Sequence, residues 1–386
     1  MAQQHHEMTG TGSGAGTAGE ALTAYLQDQA TEFLRSLRLH RESSTDAQGA
    51  EESLEASVSL RRAARRIGGT LHTFRPLLDA DWASSLRPEL AWLSGTLAQE
   101  HAYATRLDRL LEALHRLSGP APGPASVPGP TGRAGSSGTL HAAAALAAPA
   151  AGRRATARQN GWAQPPASAP ADGGGAPRGL AVGAAKAAAL LERQLTLART
   201  RAHSTALQAF GSSRFHAVAD NVAVLASEVP LKDAAKGAER ELAEQAERAR
   251  EALDEAVAAL PLGQAGHPYN AGALSHGLAP TDTAPDAQDA PWLQVRSLLR
   301  LHRYAQEVLL GHARPDPRIA DASHALNLHR EAASAAGAAA QAARTPRIAP
   351  ATAYALGVLH ADQRHEVEAA RFVFQRAWLR EEARTR

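Results

Sequence analysis

Arginine is the residue type in this chain whose spacing could do chemistry. Between positions 60 and 78, Leu60, Ala64, Ile67, Leu71, Phe74 and Leu78 recur at steps of four and three, the seam of a core-facing helix. One residue further on, Arg61, Arg65, Gly68, His72 and Arg75 keep the same rhythm, and Arg62 and Arg66 widen the row. A one-residue step turns a helix by about 100°, so the basic row runs along the margin of the buried face. Guanidinium groups held there present planar forks suited to phosphate or carboxylate oxygens. A solvated charged face is the competing reading for such a stretch alone. The pattern recurs, however: Arg296 and Arg300 follow Val295 and Leu299 as Arg61 and Arg65 follow Leu60 and Ala64, with Arg303 and Tyr304 continuing the row. Two matching helices this far apart in sequence point to an internal duplication. Near the end, Arg364 and Arg371 are seven apart on a helix whose apolar side is Leu356, Leu359, Val367, Ala370, Phe374 and Trp378. They offer a second basic wall, or ordinary surface arginines.

Other chemistries find little support. The chain has no serine-nucleophile elbow, no HExxH zinc pair and no phosphate loop with its lysine. Its 17 histidines are irregularly spaced and it has no cysteine, so no metal site or cofactor is expected, and no catalytic residue. Runs such as Glu241, Glu244 and Glu247 read as a solvated face pairing with Arg248 and Arg250. The net charge is only +2, which gives no bulk cationic character for nucleic acid. Yet of 41 basic residues, all but Lys186, Lys232 and Lys236 are arginine, so an anion would be met by forks more than by point charges. No apolar run approaches the ~20 residues of a membrane span, and no secretory signal opens the chain. A cytoplasmic location is the expectation.

The elements that must carry these rows are all helical. Periodicity predicts helices over about 19–41, 50–79, 81–98, 101–118, 180–210, 213–228, 232–260, 292–312, 317–343 and 351–382, with no alternating strand pattern. Residues 1–18 read as a disordered tail. Residues 119–178, rich in Pro, Gly and Ala, read as a disordered linker between an N-terminal helical half (19–118) and a C-terminal half (179–386). A flexible loop is expected over 261–290, within a Pro/Gly/Asp-rich stretch that runs to Pro291. Gly68 and Gly69 sit inside a strong helix, where each costs ~1 kcal/mol relative to alanine; close approach of another helix is the expected reason.

These residues resemble the conserved histidine α-helical domain family, CHAD. Arg61, Arg65, Arg66, Leu71, Thr73, Phe74, Arg75 and Pro76 match its first motif, and Leu86 to Leu93 continues it. Arg296, Arg300, Arg303 and Tyr304 match the second motif, and Ala355–His360 through Trp378 resembles the last helix. The resemblance implies two pseudo-symmetric antiparallel four-helix bundles. It also implies a non-enzymatic module that binds inorganic polyphosphate, or another polyanion, in a central arginine-lined groove. On that basis the candidate binding residues are Arg61, Arg65, Arg66, His72, Arg75, Arg296, Arg300, Arg303, Tyr304, Arg364 and Arg371. The chain departs from the pattern at both name-giving histidines, replaced by Val58 and Leu293, and at Gly68, Ser297 and Leu301. His101-Ala102 stands where an Arg-Asp pair is usual. A second reading follows: a degenerate member that keeps the fold as a scaffold for protein partners or granule association.

Overall fold

The computed structural model describes residues 18–43, 49–119, 178–232, 239–269, 286–311 and 316–380. All of the expected tail but Ala18, and nearly all of the expected linker, lie outside the described residues. The expectation of an all-α chain holds. Ten α-helices are described: α1 (Ala18–Ser43), α2 (Ala50–Thr73), α3 (Ala80–Ser118), α4 (Arg178–Phe210), α5 (Ser213–Ser227), α6 (Glu239–Ala258), α7 (Leu262–Ala265), α8 (Asp286–Leu310), α9 (Pro317–Ala343) and α10 (Pro350–Leu379). A short 3-10 turn, Arg75–Leu77, follows α2. Among the described residues, β-type pairing is confined to one isolated antiparallel bridge between Leu78 and Leu231. No described helix is long and apolar enough to cross a membrane.

The seam read from the sequence is buried along α2 and just past its end: Leu60, Ala64, Ile67 and Leu71 of α2, and Phe74 and Leu78 beyond it, are all fully buried. They pack with Leu22, Leu26 and Phe33 of α1, the first half of α3, and Phe215 and Val222 of α5. A second apolar cluster joins the end of α3 (Leu110, Leu114) to α4, α9 and the start of α10. A third joins α6, the start of α8 (Trp292, Val295, Leu299), the start of α9 and Phe374 of α10. At about 25 cal/mol per Å² of apolar area removed from water, these interlocked seams are the main force holding the helices together.

Three boundaries differ appreciably from the sequence expectation. The helix expected over 50–79 ends at Thr73 and is followed by the 3-10 turn. Segments 81–98 and 101–118 are one continuous helix of 39 residues, about 58 Å long at 1.5 Å per residue. It continues because it serves two cores, burying Leu86, Leu90, Leu93 and Leu97 in one and Leu110, Ala113 and Leu114 in the other. No residue between Leu97 and Leu110 is buried, and that bare middle faces a cleft. The loop expected over 261–290 contains the single turn of α7, and its last residues already belong to α8, which starts at Asp286 with Pro291 inside the helix. Asp289 is the reason: it is 7% exposed and held by two arginines of α10, so long-range ion pairing keeps the turns around Pro291 helical.

Gly69 marks the close approach expected of it. A Cβ there would stand 2.6 Å from Cδ2 of Tyr304 on α8, whose ring is buried, whereas one at Gly68 would meet only Cβ of Leu90 at 3.7 Å. Gly68→Ala should therefore gain most of the ~1 kcal/mol of helix propensity. Gly69→Ala should instead destabilise by about 1–3 kcal/mol through overpacking. Urea unfolding followed by circular dichroism checks both signs.

Candidate functional site: an arginine cleft

The bare middle of α3 opens onto a cleft of about 470 Å³ walled by α2, α3, α8 and α9. These four helices are drawn from all three apolar clusters, so the cleft lies where the cores meet. Into it point Arg61 and Arg65 of α2, Arg106 and Arg109 of α3, Arg296 and Arg300 of α8, and Arg330 of α9. His101, Thr105, His324, Asn327 and Ser334 add polar edges, Ala98, Ala102 and Leu328 an apolar floor, and Glu331 the one carboxylate among the lining residues.

Five of the seven, Arg61, Arg65, Arg106, Arg296 and Arg300, form no ion pair with an acid among the described residues, whereas Arg109 and Arg330 each have one acid, at 3.6 and 3.4 Å. Nε of Arg61, Arg65, Arg106 and Arg330 is buried without a hydrogen-bond partner. Arg296 donates from Nε to Oδ1 of Asn327 at 2.9 Å, and Arg300 reaches Oγ of Ser297 only at 3.5 Å. Both partners are neutral. Arg109 is better held, by Oε1 of Gln363 at 2.5 Å and by Glu366 at 3.6 Å. Electrostatics follow from this crowding. Burial, reinforced by neighbouring guanidinium charges, pushes Arg296 down to about 9 and Arg65 down to about 10. The same causes lower Arg61, Arg106 and Arg300. A cation whose folded pKa is depressed is disfavoured as a charge. At neutral pH these groups still carry theirs, so the fold holds a repulsion that a bound anion would relieve.

The other arginines and the tyrosine singled out from the sequence are placed differently. Arg66 gives Nε to Oε2 of Glu307 at 2.9 Å and Nη2 to Oε1 at 3.4 Å, with Tyr25 donating its hydroxyl to the same carboxylate at 2.7 Å. Arg303 also reaches Glu307, at 3.4 Å. Tyr304 is 4% exposed and packs on Gly69. His72 and Arg75 are exposed at the far end of α2 and do not line the cleft. Arg364 and Arg371, read as a second basic wall, instead bracket Asp289: Arg364 Nη1 donates to Oδ2 at 2.8 Å and Arg371 Nη2 to Oδ1 at 2.7 Å. Glu368 takes the other amine of Arg371 at 2.8 Å. Their forks are used in the interior, because the acid that meets them comes from α8, 75 and 82 residues away in sequence.

Three cleft arginines were missed in the sequence: Arg106, Arg109 and Arg330. The signal was present. Arg109 precedes buried Leu110 by one residue, and Arg330 stands beside His329, which is buried between the apolar positions Leu326 and Ala332, so both lie at the margin of a buried helix face.

A family model, described as CHAD domain, matches residues 28–328. The chain belongs to the CHAD family. Among solved structures it is similar to PptA from Streptomyces chartreusis, with 55% identity and a TM-score of 0.69, over 94% of this chain and 99% of the other. A search of curated proteins returned no match. The family match takes in α2, α3, α8 and the first part of α9, and so most of the cleft of this CHAD protein; Arg330 and Glu331 lie just beyond it.

Proposed function

We propose that this CHAD protein is a non-catalytic module that binds inorganic polyphosphate, with Arg61, Arg65, Arg106, Arg296, Arg300 and Arg330 as the principal contacts. The observation that carries the reading is the set of buried, unpartnered guanidinium Nε atoms in a cleft with a single carboxylate. A chain of phosphates supplies several oxygens at short intervals and fits forks approaching from four helices. A lone carboxylate ligand would leave most of them unmet. Arg66, Arg303, Arg364 and Arg371 support the fold in this reading, and Tyr304 fixes the spacing of α2 and α8.

Titration with polyphosphate of defined lengths at two salt concentrations tests it. By analogy with single-stranded nucleic acids, the logarithmic salt slope should be about −0.7 per phosphate contacted, so six contacts predict roughly 300-fold weaker binding at 200 mM than at 50 mM salt. Saturation at 100 times the Kd should stabilise the fold by about 2.7 kcal/mol, read as a raised melting temperature. The scaffold alternative rests on Val58 and Leu293 at the histidine positions of the family motifs. Absence of binding at 50 mM salt would favour it.

A further inference from the structure

Glu331 is an acid among seven arginines, and its contact is loose. Its Oε1 lies 3.4 Å from Nη2 of Arg330, with both side chains about one-third exposed. Two acids that hold arginines inside the fold do so closely: Glu307 accepts from Arg66 at 2.9 Å and Asp289 accepts from Arg371 at 2.7 Å. Charge-assisted hydrogen bonds of full strength fall at 2.7–2.9 Å. Arg330 is also the charge common to the cluster, since it lowers the pKa of Arg61, Arg106, Arg296 and Arg300. The charge of Glu331 acts the other way on Arg296.

We propose that Glu331 is a built-in competitor of the bound polyanion. In the empty protein it occupies the place of one anionic oxygen beside Arg330 and offsets part of the repulsion among the arginines. A phosphate chain must displace it and then tolerate its charge nearby, so Glu331 lowers affinity and keeps the ligand exchangeable. The inference rests on the polyphosphate reading for its binding arm alone; its other arm concerns the empty protein.

The test is Glu331→Gln, which keeps size and removes charge. Without ligand, at low salt, the variant should melt lower than the parent, and added sodium chloride should narrow the gap by screening the arginines. With polyphosphate of defined length in magnesium-free buffer, calorimetry should show affinity raised about tenfold, the scale of removing one nearby like charge at a partly exposed site. Glu366→Gln, which removes an acid 3.6 Å from Arg109 but outside the cleft lining, serves as control and should raise affinity much less. Equal melting temperatures of parent and Glu331→Gln at low salt would overturn the proposal, even if neither binds polyphosphate. Unchanged or weaker affinity of the variant, with the parent binding, would also overturn it. A gain in affinity on adding magnesium that the parent shows and the variant lacks would do so too, making Glu331 a cation ligand instead of a competitor.

Discussion

Replacing Arg65 and Arg300 together by glutamate should abolish polyphosphate binding while leaving the protein at least as stable as before. Both side chains line the cleft and both carry charges disfavoured by burial and by neighbouring arginines. Two carboxylates there would pair with Arg61, Arg296 or Arg330 in the empty protein, which relieves repulsion. Each arginine lost removes charge-assisted hydrogen bonds of about 1.5–3 kcal/mol. The double variant should therefore bind at least about a hundredfold more weakly. The apolar seams one residue away are untouched, so helical content should be unchanged and the melting temperature equal or higher. Binding as tight as the parent's would sink the cleft assignment. A large loss of stability would show that these arginines hold the fold.

Asp289→Ala should have the opposite profile. Asp289 is the anion shared by Arg364 and Arg371, with Nε2 of His329 3.5 Å away and the Trp292 ring stacked on that imidazole at 5.8 Å. Burial by itself would raise its carboxyl, but hydrogen bonds from His329 and Arg364, and the charge of Arg364, hold it well below the ordinary carboxylate range. Removing the anion strands buried guanidinium groups, at a cost of roughly 3–5 kcal/mol. Glu368 still serves Arg371, so Arg364 loses most. Urea denaturation should show that drop, while polyphosphate affinity measured below the transition should stay within a few fold, since Asp289 does not line the cleft.

The same network gives a pH dependence whose sign is fixed. Burial lowers the pKa of His329 below its usual 6.5, so its neutral form is the one the fold favours. That contribution is present above pH 6.5 and diminishes as pH falls through the folded value. Asp289, with its depressed pKa, contributes fully above the ordinary carboxylate range and loses that contribution progressively below it. Stability should thus decline on the acid side in two stages. In Asp289→Ala the second, carboxylate stage should be smaller, with the remainder coming from carboxylates such as Glu89, which Arg214 also holds below its ordinary value.

What the sequence determined by itself is local. Periodicity fixes which residues of a helix share a face, and the four seam residues on α2, Leu60, Ala64, Ile67 and Leu71, are all buried. The same rule placed Arg61, Arg65, Arg296 and Arg300 at seam margins, and α9 runs from Pro317 to Ala343 as expected. Three motif blocks also sufficed to place the chain in the CHAD family. What only the tertiary structure decided is which arginines meet an acid. Arg61 and Arg66 look alike in sequence, yet Glu307, 241 residues from Arg66, neutralises one and leaves the other facing the cleft. Arg364 and Arg371 have the spacing of a basic wall, but Asp289, from a stretch read as loop, draws both into the interior. The continuity of α3 across residues 99–100 was likewise set by two cores at its ends. Side-chain periodicity carries information over a few turns of helix. Charge neutralisation depends on partners brought from elsewhere by packing, and no local pattern encodes them.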